Sequence, residues 1–121
     1  MTGWKRRWKN LDGNRKLLNL IGLATKAGKT ASGEFSTEKA VKTGKAGVVI
    51  VSAEASDNTK KMFANMCAYY NVPIYYFGGK EELGHAMGKQ FRASLAVTDE
   101  GLSKAIMKLM TANGGSEYES D

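Results

Sequence analysis

Apolar positions along this chain change their spacing several times, and each change marks an element. Leu17, Leu20, Ile21 and Ala24, with Leu18 beside them, keep helical spacing and predict a helix over residues 15–27, ended by Gly28. Residues 30–32 suit a short strand before Gly33. A second helix is expected over 36–43, with Ser36 as its N-cap, Ala40 and Val41 inward and Gly44 as its stop. The β-branched run of residues 47–52 has no polar alternation, which predicts a strand buried on both faces. Ser56 can cap a third helix with Met62, Phe63, Met66, Cys67 and Tyr70 on one side, closed by Asn71, Val72 and Pro73.

Residues 74–77 then read as a strand, Gly78-Gly79 as a turn and residues 80–87 as a short helix. A last strand is expected over 93–98, and Asp99 opens a final helix through Leu102, Ile106 and Leu109 to Met110. Strands alternating with helices predict an α/β fold with helices on both faces of the sheet. No internal repeat is visible.

Composition narrows the function classes. The chain has 121 residues, 42% hydrophobic and 25% charged, which suits one domain with its own core. Eighteen Lys and Arg against twelve Asp and Glu leave a net charge of +6, which favours anionic partners, nucleic acid above all. That charge is uneven. Residues 1–16 hold Lys5, Arg6, Arg7, Lys9, Arg15 and Lys16 against Asp12 alone, a net +5. Residues 113–121 hold Glu117, Glu119 and Asp121 and no base, so the rest of the chain reaches +9. The expected division is a basic extension over 1–14, one α/β domain over 15–112 and a flexible acidic tail over 113–121. Trp4 and Trp8, at i and i+4, suit a helical turn packed onto the body.

Cys67 is the single cysteine and His85 the single histidine, so this chain alone supplies neither an intramolecular disulfide nor a Cys/His zinc site. No apolar run approaches the roughly 18–20 residues that cross a bilayer, and no apolar segment follows the basic start as a secretory signal requires. The expectation is a soluble, cytoplasmic protein with no membrane association.

Candidate chemistry is sparse. Gly28-Lys29-Thr30 resembles the end of a phosphate-binding loop, but the required earlier glycine is replaced by Leu23, and a helix rather than a strand leads in. A helix C-cap followed by a surface lysine is the simpler reading. Cys67 falls on an apolar helix side, and the acid pairs Glu81-Glu82 and Asp99-Glu100 suit first helical turns. No catalytic constellation is present, and the chain is expected not to be an enzyme. Two segments say more. In residues 30–42, Gly33 before a helix start permits close backbone approach, the start's N–H groups attract anions, and Lys39 and Lys42 share a side. In Gly88-Lys89-Gln90-Phe91-Arg92, an aromatic between two cations suits stacking on a splayed base. The plain alternatives are a capped helix with a solvated basic face, and a turn with Phe91 tucked inward.

Four stretches occur in a familiar order: Gly33 with Lys39-Ala40-Val41 and Gly44-Lys45-Ala46; residues 48–54; Tyr70-Asn71-Val72-Pro73; and Lys80-Glu81-Glu82-Leu83-Gly84 with Gly88-Lys89. In these the chain resembles, over about residues 15–110, the kink-turn RNA-binding ribosomal protein family. That family includes the archaeal L-seven-Ae and eukaryotic L-thirty-e types, and the likeness is greatest to its bacterial YlxQ-like branch.

The resemblance implies a three-layer α/β/α sandwich around a four-stranded mixed sheet, without catalysis or cofactor. It implies a structured, sharply bent RNA as partner, ribosomal or otherwise related to translation, with the ribosome as a further partner and a monomer as the state. By position, Gly33 would admit the RNA backbone, and Lys39 would meet a sheared G·A guanine edge or a phosphate. Lys80 would meet the bulge-side backbone, and residues 88–92, with Lys89, Gln90, Phe91 and Arg92, would pack against an extruded base. Glu54, Ala55 and Ser56 would line the space between. Glu34, Phe35, Ser36 and Lys42 complete the expected surface.

Phe35-Ser36 stands where the archaeal pattern has Asn-Glu, and Phe35 cannot make a hydrogen bond to a base edge, so base readout is weaker or falls to other groups such as Glu34. Arg92 sits one place later than in the archaeal type, as in the L-thirty-e and YlxQ patterns. The alternative from another class is a protein-interaction module of the same fold, with Phe35 and Phe91 forming an apolar patch.

Overall fold

The computed structural model describes residues 2–112 and 116–117, with side chains over 14–112. In chain order the elements are α1 (Thr2–Lys26), β1 (Thr30–Ser32), α2 (Glu34–Lys42), β2 (Val48–Val51), α3 (Asp57–Tyr70), β3 (Ile74–Tyr76), α4 (Lys80–Ala86), β4 (Ser94–Val97), α5 (Glu100–Ala112) and β5 (Ser116–Glu117). The sheet runs β1-β4-β2-β3-β5. β2 and β3 are parallel, as a crossover through α3 requires, and β4 is antiparallel to both β1 and β2. The expected four-stranded mixed sheet is therefore present, with the two-residue β5 added along the edge of β3.

β2 sits in the middle of the sheet, and its four residues are fully buried because helices cover both faces. Val48 and Ile50 face a core shared by Leu17 and Ile21 of α1, Leu83 of α4 and Ile106 and Met110 of α5. Val49 and Val51 face the other core, with Ala40 and Val41 of α2 and Phe63 and Cys67 of α3. A large buried side chain such as Phe63 or Ile50 contributes about 1.5–3 kcal/mol through its burial. These two cores make the three layers.

Helix ends follow local chemistry. Ser56 caps α3, its hydroxyl oxygen accepting from the Thr59 N–H at 3.1 Å. Asn71 ends α3 in the left-handed conformation, φ 60°, which asparagine tolerates better than most residues. Gly28 ends α1, with the Lys29 N–H donating to Ala24 O at 2.8 Å, so a helix does run into Gly28-Lys29-Thr30.

Two expectations need correction. α2 starts at Glu34 and not at 36, and its N-cap is Gly33, with Ser36 already inside the helix. α1 begins at Thr2, so much of the basic extension is helical rather than separate from the first helix. The acidic tail falls outside the described residues except for Ser116–Glu117, which form β5. The packing of Trp4 and Trp8 also lies outside the described side chains.

Candidate functional site

β1, β2 and β3 all end, and β4 begins, at one end of the sheet. This rim therefore gathers Gly33, the β2–α3 corner, the β3–α4 turn and the loop leading into β4. Residues far apart in the chain become neighbours through register alone.

Hydrogen bonds lock the rim together. The Gly33 N–H donates to Ser94 O at 2.9 Å, and the Ser52 N–H donates to Ala93 O at 2.8 Å. The buried Ser52 hydroxyl donates to Gly78 O at 2.9 Å and accepts from the Glu54 N–H at 3.0 Å. The Ala53 N–H also reaches Gly78 O, at 2.9 Å. Glu54 Oε1 accepts from the Lys80 N–H at 3.1 Å, and the Arg92 N–H donates to Lys80 O at 3.0 Å. Arg92 Nε donates to Ser32 Oγ at 2.8 Å while Nη1 donates to Phe91 O at 2.8 Å. Four connections are thus pinned into one surface.

The helix starts at this rim differ in what they offer. Glu54 takes the Lys80 N–H, and Glu82 Oε1 takes the Gly79 N–H at 2.9 Å, so carboxylates already occupy the start of α4. α3 is capped by Ser56. The start of α2 has no side-chain cap. Gly33 leads into it at φ 90° and ψ 162°, a region that only glycine enters easily, and a Cβ there would meet nothing within 4 Å. The result is an uncovered turn of N–H donors beside an open backbone.

Around this opening stand exposed side chains. Phe35 is 77% exposed and Phe91 57%, so Phe91 is not tucked inward. Lys39, Lys80, Lys89 and Gln90 are exposed as well. Gly84 lets the 88–92 loop lie against α4, because a Cβ there would come within 2.6 Å of the Gln90 carbonyl. Glu34, Ser36 and Glu54 complete the exposed rim.

Lys42 is not brought to this group. It sits at the far end of α2 and pairs with Glu38, Nζ to Oε2 at 2.8 Å. That hydrogen bond and the Glu38 charge hold its pKa above the ordinary lysine value. Arg92 is half-buried and spends donors on holding the rim. Ser52 and Ser32 were not singled out in the sequence. A lone serine ending a β-branched run is the only signal that could have pointed to Ser52, since a buried hydroxyl there must find a partner. Elsewhere, burial among apolar groups pushes the Cys67 thiol up to about 11. Among the described residues, no group of three His, Cys, Asp or Glu could hold a metal ion, and no helix is long and apolar enough to cross a membrane.

Residues 15–107 match the model of the ribosomal protein L7Ae/L30e/S12e/Gadd45 family. The chain belongs to this family. It is 36% identical to the RNA-binding protein YlxQ of Bacillus subtilis over 75% of this chain and 91% of that one. To the YlxQ of Enterococcus faecium it is 38% identical, over 82% and 96% respectively. A solved protein of unknown function from Bacillus halodurans superposes with a TM-score of 0.77 at 36% identity, covering 79% of this chain and 97% of that one. The fold recurs in the Giardia lamblia 15.5kD RNA binding protein, with a TM-score of 0.71 at 22% identity over 85% of this chain and 88% of that one. These likenesses carry the α/β/α sandwich.

Proposed function

We propose that this family member is a non-enzymatic binder of structured RNA, and that its rim holds a sharply bent, kink-turn-like RNA. The uncapped start of α2 behind Gly33 carries the reading, because it leaves backbone donors and an open approach where a phosphate can sit. The names of the two YlxQ relatives support RNA as the ligand.

In this reading the RNA backbone passes over Gly33, and Lys39 meets a sheared G·A edge or a phosphate. Lys80 neutralises the bulge-side backbone, and Phe91 stacks on an extruded base while Lys89 and Gln90 reach its backbone. Glu54, Ala55 and Ser56 line the floor between. Phe35 supplies a stacking face but no hydrogen bond, so selectivity comes more from the bent shape than from base edges. Binding stabilises the kinked state over the straight one, to the extent that the rim prefers it. A ribosomal or other translation-related RNA, a cytoplasmic location, association with the ribosome and a monomeric state complete the proposal.

Electrophoretic titration of a kink-turn duplex and a straight duplex at two salt concentrations tests it. The kinked RNA binds more tightly than the straight one, its binding weakens at high salt, and Lys39→Ala weakens it at least several-fold. Equal binding of both RNAs by parent and variant would contradict the reading. The exposure of Phe35 and Phe91 favours a second reading, a protein-docking patch. Salt-insensitive capture of a protein with no RNA retained would favour that one.

A further inference from the structure

Exposed aromatic side chains stand in two places on this molecule. Phe35 and Phe91 are on the rim, whereas Tyr69 and Tyr70 end α3 at the opposite end of the sheet. Tyr69 is 79% exposed, and neither tyrosine belongs to either core, so packing gives no account of the pair. Their rings meet edge to face, with centroids 4.9 Å apart and planes at 77°. Tyr70 thereby braces Tyr69 and leaves most of it open to solvent.

A basic track joins this pair to the rim. α2 and α3 both start at the rim and run packed together to the far end. Phe35, Lys39 and Lys42 recur at i, i+4 and i+7, so they share one exposed side of α2. Lys45 follows in the loop after the helix and is exposed as well. β2 and β3 are parallel with Val49 opposite Ile74, so the segments leading into them, 43–47 and 71–73, are neighbours. Glu38 chiefly, and Tyr70 weakly, hold the Lys42 proton, which places Tyr70 beside that ammonium. Residues 37–46 and 57–71 together hold five lysines against Glu38 and Asp57, a net +3. Among the described residues, neither Lys39 nor Lys45 has an ion-pair partner.

We infer that RNA leaving the rim along α2 continues into an unpaired stretch, one base of which stacks on Tyr69 while Lys39 and Lys45 meet its phosphates. Stacking selects the unpaired form, because bases inside a duplex are already covered while a free base offers its face to an aromatic ring. From Phe35 to Lys42 the helix rises about 10 Å, which matches about three stacked nucleotides. The unpaired flank therefore begins about three base pairs beyond the rim. This inference rests on the RNA-binding reading of the rim, and it extends the ligand from a bent duplex to a bent duplex with a single-stranded flank.

The test titrates parent, Tyr69→Ala, Tyr69→Trp and Lys45→Gln against a kink-turn RNA whose stem beyond the G·A pairs is cut to about three base pairs. That RNA is used blunt, or with six unpaired uridines on one strand or on the other. The parent binds one of the extended RNAs about tenfold more tightly than the blunt one. Tyr69→Ala removes that gain and leaves blunt RNA unaffected, Tyr69→Trp keeps the gain, and unchanged thermal midpoints show intact folds. Lys45→Gln lowers the slope of log affinity against log salt by about 0.7 on the extended RNA alone. A 4-thiouridine in the flank cross-links to Tyr69 or Tyr70. Equal affinity of the parent for blunt and both extended RNAs overturns the inference, and so does an equal loss on blunt and extended RNA in Tyr69→Ala. A tyrosine pair that leaves every RNA indifferent belongs to a protein contact instead. A parent that fails to prefer kinked over straight RNA overturns the rim reading, while a straight duplex with the same flank still reports on Tyr69 through the cross-link.

Discussion

Arg92 Nε donates to Ser32 Oγ at 2.8 Å, joining the end of β1 to the loop before β4 across sixty residues of chain. The guanidinium also donates to the carbonyl of Phe91, so one side chain sets the position of the exposed aromatic next to it. A residue that looks in sequence like a phosphate contact is here a clasp first. Ser32→Ala should therefore lower unfolding stability by about 1 kcal/mol, read as a shift in urea midpoint. It should also weaken kinked RNA binding several-fold by loosening the Phe91 loop, although Ser32 itself carries no charge.

Gly33 sits at φ 90° and ψ 162°, with open space where a Cβ would lie. Gly33→Ala meets no clash, so its cost is backbone strain, of order 1–3 kcal/mol. Equilibrium denaturation should show that loss, and RNA titration should show a further loss of affinity, because the added methyl intrudes on the approach to α2. A variant as stable as the parent would mean the backbone relaxes without cost.

Glu54 holds the Lys80 N–H at 3.1 Å. Glu54→Gln keeps an acceptor there and removes a negative charge from the rim. Stability should change by less than about 0.5 kcal/mol. RNA affinity should rise at low salt and converge with that of the parent at high salt.

Cys67 is buried, and its thiol is pushed up to about 11 from an ordinary value near 9.0. The unfolded chain then loses this proton at lower pH than the folded one. Between about pH 9 and pH 11 the folded state binds more protons, so stability falls as pH rises, and below that window the effect vanishes. Urea titrations of the parent and of Cys67→Ala should show a steeper decline for the parent across that window. At neutral pH a thiol reagent should label the folded protein far more slowly than the unfolded one.

Much of this fold is legible in the chain because the signals are local. The β-branched stretch at Val48–Val51 announces a doubly buried strand, and Ser56 and Asn71 mark both ends of α3 by their own chemistry. The start of α2 is not legible in the same way. Its N-cap is a glycine that works through backbone conformation, so Ser36, a good capping residue, draws attention to the wrong place. The start of α1 is hard to place because Gly3, Asp12 and Gly13 interrupt the stretch before Arg15, although Trp4, Trp8 and Leu11 keep helical spacing there. The glycine- and acid-rich composition around Ser116–Glu117 gives no strand signal, yet an edge of β3 is there to pair with. Exposed rim residues such as Lys39 and Phe91 could be named from sequence. The bonds that hold them, Ser52 to Gly78 and Arg92 to Ser32, belong to the register of the sheet and appear only once it is assembled.

The central claim is that this rim holds RNA in a bent state. Its most direct test is fluorescence energy transfer between dyes on the two ends of a kink-turn duplex, titrated with protein without divalent cations. The account predicts that transfer rises to saturation with the parent and rises less, or only at much higher concentration, with Lys39→Ala. Binding seen on the same RNA with no change in transfer would contradict it.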